Sequence, residues 1–165
     1  MSRVLSWKLV GAKDFDGNGS ADILIRNSNS GAWYNYLYDG INVISRRYME
    51  DLPGDLNEIV QAVADFDGDG INDVLMRNAT TNKWSILHLD GFNLKNTLNV
   101  SFESSSEWVF NAAGDYNGDG NADVTLRNVN SGQIIVYLWN GSGVISSTYT
   151  SNSLLTDYEA TSLLH

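Results

Sequence analysis

The chain has 165 residues, 42% hydrophobic and 11% aromatic, enough apolar material for an ordinary core and a length that suggests one domain. Ten Lys and Arg against twenty Asp and Glu give a net charge of −10, which argues against nucleic acid or an anionic membrane surface as a partner. There is no cysteine, so disulfides and thiolate metal sites are excluded, and no apolar run is long enough for a signal-peptide core or a membrane span.

The first apolar stretch, SWKLVGAK (6–13), reads as a short strand and leads into the loop DFDGNGSAD (14–22). DILIR (22–26), AWYNYLY (32–38) and INVISRRYM (41–49) follow, rich in β-branched and aromatic residues and parted by Gly, Asn, Asp and Ser turn signals. The same order then returns as LNEIVQAVA (56–64), the loop DFDGDGIND (65–73), DVLMR (73–77), KWSILHL (83–89) and FNLKNTLNV (92–100). A third pass gives SEWVFNAAG (106–114), DYNGDGNAD (115–123), DVTLR (123–127), IIVYLW (134–139) and GVISSTYT (143–150).

The loops begin 51 and 50 residues apart, and each is followed in register by an Arg-Asn pair (Arg26-Asn27, Arg77-Asn78, Arg127-Asn128) and a later glycine (Gly40, Gly91, Gly141). Four strands in about fifty residues is the arithmetic of a β-propeller blade. The expected fold is therefore all-β: a β-propeller of four-stranded antiparallel blades, three blades per chain. One repeat domain, 1–165, divides into units of about 1–51, 52–101 and 102–152, and 153–165 is in phase with 1–13 as an extra first strand. Three blades do not close a ring, because propellers run from about four to eight blades. The expectation is self-assembly, a dimer closing a ring of about six blades; a piece of a longer array is the alternative.

The loops follow the pattern D-x-[DN]-G-[DN]-G-x-x-D. Positions 1, 3, 5 and 9 are Asp14, Asp16, Asn18 and Asp22; Asp65, Asp67, Asp69 and Asp73; and Asp115, Asn117, Asp119 and Asp123. Hard oxygens at alternate positions suit a cation that takes about six to eight of them, and the varied position 7 (Ser20, Ile71, Asn121) fits a main-chain carbonyl ligand. An EF-hand needs a glutamate at position 12, where Ile25, Met76 and Leu126 stand here, so that reading fails. What remains is about three structural Ca²⁺ sites per chain, and by charge count the loop from Asp65 to Asp73, with four acids, should bind tightest. The glycine at position 6 (Gly19, Gly70, Gly120) is expected to take a positive φ.

These loops, with the RN-x-x-[ST]-G run after them, resemble the calcium hairpins of FG-GAP-type repeats, and the bacterial branch in particular. The resemblance covers nearly the whole chain and implies a secreted or cell-surface protein whose leader is absent from this sequence. No copy carries both the Phe-Gly and the Gly-Ala-Pro elements, and the second unit has Thr81-Asn82 where the others have Ser-Gly.

No catalytic set is visible. The two histidines, His88 and His165, have no counterparts in the other units, and the paired carboxylates sit in the calcium loops. The expected function is a non-enzymatic calcium-stabilised binding or adhesion module, whose partners are glycans or cell-surface proteins. One alternative is a carbohydrate-binding lectin with sites between blades, for which Trp33, Trp84 and Trp139 are the weak ligand candidates; another is a purely structural self-assembling scaffold. The repeated arginines are expected to pair with neighbouring acids or carbonyls.

Overall fold

A computed structural model describes residues 6–150, and among these there are twelve β-strands and no helix. The tail expected to supply an extra first strand, 153–165, lies outside the described residues. The first sheet is built from β1 (Trp7–Lys13), β2 (Asp22–Asn27), β3 (Trp33–Asp39) and β4 (Asn42–Tyr48). The second holds β5 (Glu58–Ala64), β6 (Asp73–Asn78), β7 (Trp84–Asp90) and β8 (Asn93–Val100). The third holds β9 (Trp108–Gly114), β10 (Asp123–Asn128), β11 (Ile134–Trp139) and β12 (Val144–Tyr149). Each is an antiparallel meander in chain order, the expected blade.

Sequence period explains how the blades stack. In β3 the odd positions Trp33, Asn35 and Leu37 are buried while Tyr34, Tyr36 and Tyr38 are half-exposed, so only one face is covered. In β7, Trp84 and the run Ile86 to Leu89 are buried on both faces, because the second blade lies between the other two. One core joins blades one and two through Phe15, Leu24, Trp33, Val74, Met76 and Leu87. The other joins blades two and three through Phe66, Leu75, Trp84, Val124, Leu126 and Trp139. Each fully buried Leu, Val, Met or Phe side chain of these cores contributes roughly 1.5–3 kcal/mol. The first strands β1, β5 and β9 lie side by side, and the outer strands β4 and β12 are exposed along their length.

Each blade carries two matched irregularities. A bulge residue stands out of register in the first strand at Val10, Gln61 and Asn111, and another in the last strand at Ile44, Lys95 and Ile145.

Two of the three repeated arginines bond carbonyls, as expected. Arg26 donates to the carbonyls of Glu58 and Asp55 (2.6 Å for the latter), and Arg77 to those of Trp108 (2.6 Å) and Ser105 (2.9 Å). All four acceptors belong to the start of the following blade or the link into it. The adjacent indoles reach the same links: Trp33 Nε1 donates to Pro53 and Trp84 Nε1 to Glu103, both at 2.9 Å.

The β2–β3 turn of blade one needs a glycine twice over. Gly31 has φ +74°, and a Cβ there would sit 1.9 Å from the Gly54 carbonyl oxygen. In blade two Asn82 adopts φ 56°, one of the few side chains that tolerate the left-handed region, so the missing glycine leaves the turn intact.

Candidate metal centre

The three loops join the first and second strands of each blade, and their aspartates fold them by a shared scheme. The position-1 carboxylate accepts two backbone amides on separate oxygens. Asp14 takes those of Gly17 (2.7 Å) and Gly19 (2.8 Å), Asp65 those of Gly68 and Gly70, and Asp115 those of Gly118 and Gly120. Position 3 accepts the amide of position 5, and position 5 that of position 7: Asp16 from Asn18 (3.1 Å), then Asn18 from Ser20 (2.7 Å). Asp67–Asp69–Ile71 and Asn117–Asp119–Asn121 repeat the pattern. These are stacked Asx turns, which engage one oxygen of each aspartate, leaving its second, and the single amide oxygen of Asn18 and Asn117, and which coil the loop about the aspartates. Glycines at both positions 4 and 6 take positive φ, as Gly17 (77°) and Gly19 (84°) show in the first loop; only the second was expected.

Position 9 is the best-buried member. Asp22, Asp73 and Asp123 are at most 1% exposed. Asp22 Oδ2 accepts the Phe15 amide and Oδ1 the Tyr38 amide, both at 2.8 Å. Asp73 does the same for Phe66 and Leu89, and Asp123 for Tyr116 and Trp139. One carboxylate thus ties the loop to the third strand of its own blade. Burial pushes the Asp22 carboxyl above its ordinary value, the two amides pull it down, and the nearby Asp16 and Asp14 push it up again.

Side-chain oxygens of Asp14, Asp16 and Asp22 lie within 4.8 Å of one another, as do those of Asp65, Asp67 and Asp69. Two oxygens on opposite sides of a calcium ion are about 4.6–5.2 Å apart, so both sets fit around one. In the third loop Asn121 and Asn117 donate to Asp119 and hold its carboxyl below the ordinary range. At position 7 the Ser20 hydroxyl accepts the Gly40 amide at 3.1 Å, and Ile71 lies over Gly17 of the preceding loop. What these residues share for a ligand is the main-chain carbonyl.

The loops are also tied to each other. The Asn72 amide donates to the Asp14 carbonyl at 2.9 Å, and the Ala122 amide to that of Asp65 at 2.7 Å. Each position-8 amide therefore reaches the position-1 carbonyl of the blade before it.

The second loop differs from its neighbours. His88 is 1% exposed, with Nδ1 3.1 Å from Asp73 and 3.3 Å from Asp67. Burial disfavours the imidazolium, but the hydrogen bond and charge of Asp73, with Asp67, outweigh it and raise the His88 pKa. Lys95 Nζ bonds Asp69 at 2.6 Å. Burial alone would raise Asp69, but the Lys95 contact and the Ile71 amide hold it below the ordinary range. Lys95 is the bulge residue of β8, and the bulge turns its side chain toward the loop. Charge counting missed this pair, although the signal was present: His88 and Lys95 stand where the other units have Leu37 and Leu138, and Ile44 and Ile145.

Trp33, Trp84 and Trp139 are 1–2% exposed. Trp139 Nε1 donates to the Phe66 carbonyl at 2.8 Å and fills the space between blades two and three. The three indoles are packing and clamp residues with no face open to a sugar. A cavity of about 700 Å³ lies between β1 and β5, among Lys8, Leu9, Lys13, Ile59 and Gln61.

The family described as FG-GAP-like repeat matches the chain twice, over residues 14–76 and 65–126, together more than half of the 165 residues. No curated protein and no solved structure gives a significant match.

Proposed function

The chain belongs to the FG-GAP-like repeat family, and from that premise we propose that it is a calcium-stabilised, non-enzymatic propeller module acting outside the cell in binding or adhesion. The observation that supports this best is the stacked Asx turns, which gather Asp14, Asp16 and Asp22, and Asp65, Asp67 and Asp69, into groups of oxygens spaced for one hard cation. Asn18, Asp73, Asp115, Asn117, Asp119 and Asp123, with the carbonyls of Ser20, Ile71 and Asn121, complete the donor sets. A bound ion neutralises clustered charge and cross-links the turn between two strands. Mg²⁺ fits less well, because it demands a tight octahedron and keeps its waters. Extracellular modules bind calcium with Kd of about 10⁻⁴–10⁻³ M, a range that calcium outside the cell fills.

The non-enzymatic reading is supported by the positions of the polar groups. His88 is buried with Nδ1 held between Asp73 and Asp67, and the paired carboxylates are engaged in folding the loops. Carbohydrate recognition through Trp33, Trp84 or Trp139 loses its basis, since all three indoles are buried.

Native mass spectrometry of chelator-stripped protein with calcium added stepwise tests the metal assignment. The expected result is three ions per chain and a rise in melting temperature, since ligand at about 100 times Kd adds about 2.7 kcal/mol. Absence of specific uptake sinks the reading.

A further inference from the structure

Every blade presents two unlike faces. The face bearing Trp33 in blade one and Trp84 in blade two packs forward onto the next blade; the face bearing Leu87 or Tyr137 packs backward onto the preceding one. Among the described residues two faces remain without a blade against them. They are the backward face of blade one, with Tyr34 and Tyr36, and the forward face of blade three, with Ile134 and Val136, all half-exposed.

Inside the chain the forward face carries a large residue at the arginine end of the blade, and the backward face of the next blade carries a smaller one at the neighbouring position of the equivalent strand. Trp33 is followed in the next blade by Ser85, and Trp84 by Ile135, the positions equivalent to Tyr34. At the two uncovered faces the sizes are exchanged: Ile134 stands at the Trp position of the forward face, and Tyr34 is the large residue of the backward face. Around Tyr34 lies an aromatic patch, with Tyr48 at 4.9 Å, Tyr36 at 5.0 Å and Trp7 at 6.3 Å between ring centroids. Tyrosine rings suit a surface that is wet in the free protein and buried in a complex, because the hydroxyls keep their water.

We propose that the two faces are halves of one heterologous interface, and that the occupant of each is a second copy of this chain, with the Tyr34 face of one copy seated on the Ile134 face of the other. The contact continues the blade-on-blade packing already present twice in the chain. Of ring sizes from about four to eight blades, six is the only multiple of three, so two copies close the ring through two identical contacts. The inference builds on the calcium-stabilised propeller reading, since a blade whose loop is loose presents no defined face.

The size exchange is testable by restoring the internal pattern. Ile134→Trp overfills the contact, Tyr34→Ser leaves a void, and the pair together restores the combination of Trp33 and Ser85 found at these positions in blades one and two. Neither residue is buried in the single chain, so each variant should fold. Mass by light scattering in excess calcium should give twice 18.2 kDa for the unaltered protein. Each single variant should weaken each contact by roughly tenfold to a hundredfold, as mispacking of this kind does, and so the particle with its two contacts by about the square of that factor, and the double variant should recover most of that loss. A single-chain particle at tens of micromolar overturns the proposal, meaning the chain's own ends or another protein cover these faces. An open polymer series overturns ring closure, and a double variant no better than the worse single variant overturns the size match. Calcium uptake on the same samples separates the two readings. A single-chain particle that takes up three ions refutes the contact alone, whereas a two-chain particle showing the size rescue but no uptake supports it and refutes the calcium assignment.

Discussion

The guanidinium of Arg26 lies over the indole of Trp33, 4.8 Å from the ring centroid, and both groups bond carbonyls of the link into the next blade. Arg77 and Trp84 repeat the arrangement at the same distance. The pair is a strap between blades, combining stacking with charge-assisted hydrogen bonds. Arg26→Ala should cost about 2–4 kcal/mol, the sum of a stacked cation and bonds to a charged donor. Arg26→Lys should recover less than half, because an ammonium cannot stack flat and donate in two directions at once. Urea unfolding in excess calcium measures both. Equal stability of the Lys variant and the unaltered protein would show that charge alone matters.

Gly31 and Asn82 occupy equivalent turns yet should respond in opposite ways. Gly31→Asn brings a Cβ to 1.9 Å from the Gly54 carbonyl and should cost upwards of about 3 kcal/mol, because backbone has to move. Asn82→Gly should change stability by under about 1 kcal/mol, since the left-handed conformation is kept and only loop entropy alters. Thermal unfolding of both variants tests the contrast, and a tolerated Gly31→Asn would contradict the described closeness of the two turns.

Position 9 and position 3 of the loop should separate when calcium is removed. Asp22 accepts an amide on each oxygen, and an Asn there would turn an NH₂ toward one of them. Asp22→Asn should therefore destabilise the protein by about 2–3 kcal/mol even in chelator. Asp16→Asn leaves an oxygen for the Asn18 amide, as Asn117 does for Asp119, and in chelator should cost no more than about 0.5 kcal/mol. In calcium Asp22→Asn should lose uptake at the first loop, whereas Asp16→Asn, which installs the position-3 residue type of the third loop, should only weaken it. Equal losses in chelator would mean that the Asp22 clasp contributes nothing of its own.

The second loop should not be the tightest calcium site, despite its four acids. Lys95 and His88 already face Asp69, Asp73 and Asp67, so an arriving ion competes with them. Lys95→Ile, which installs the residue type of the other two blades, should tighten calcium at this loop by roughly threefold to tenfold, because a unit charge a few ångströms away is worth about 1 kcal/mol in water-like surroundings. A stepwise titration monitored by NMR of the loop glycines reads each site separately. Unchanged affinity would show that Lys95 swings aside at no cost.

The sequence made the blades legible because each strand announces itself twice, by its apolar period and by recurrence of the same stretch fifty or fifty-one residues later. The loops were legible for a related reason: four oxygen-bearing side chains at fixed spacing have few purposes. Less visible was anything made by two units together. Arg26 was expected to find acids or carbonyls, but which carbonyls it reaches, those of the next blade and the link into it, leaves no mark in composition. The bulges at Val10 and Lys95 were hidden because any residue can occupy them, and without the bulge nothing says that Lys95 turns toward Asp69. The tryptophans misled for the opposite reason: an aromatic stripe reads the same for a sugar platform and for a blade interior, and only burial separates the two.

The bond from the Asn72 amide to the Asp14 carbonyl, with its counterpart from Ala122 to Asp65, makes the three loops a row of dominoes rather than three separate devices. A loop that stiffens fixes one of the hydrogen-bond partners of the next, so ordering one site lowers the entropic cost of ordering its neighbour. Such coupling reaches only the adjacent unit, as in a one-dimensional lattice. Within a single chain the middle loop, held from both sides, is then the last to let go, and loss of order begins at the outer loops and runs inward.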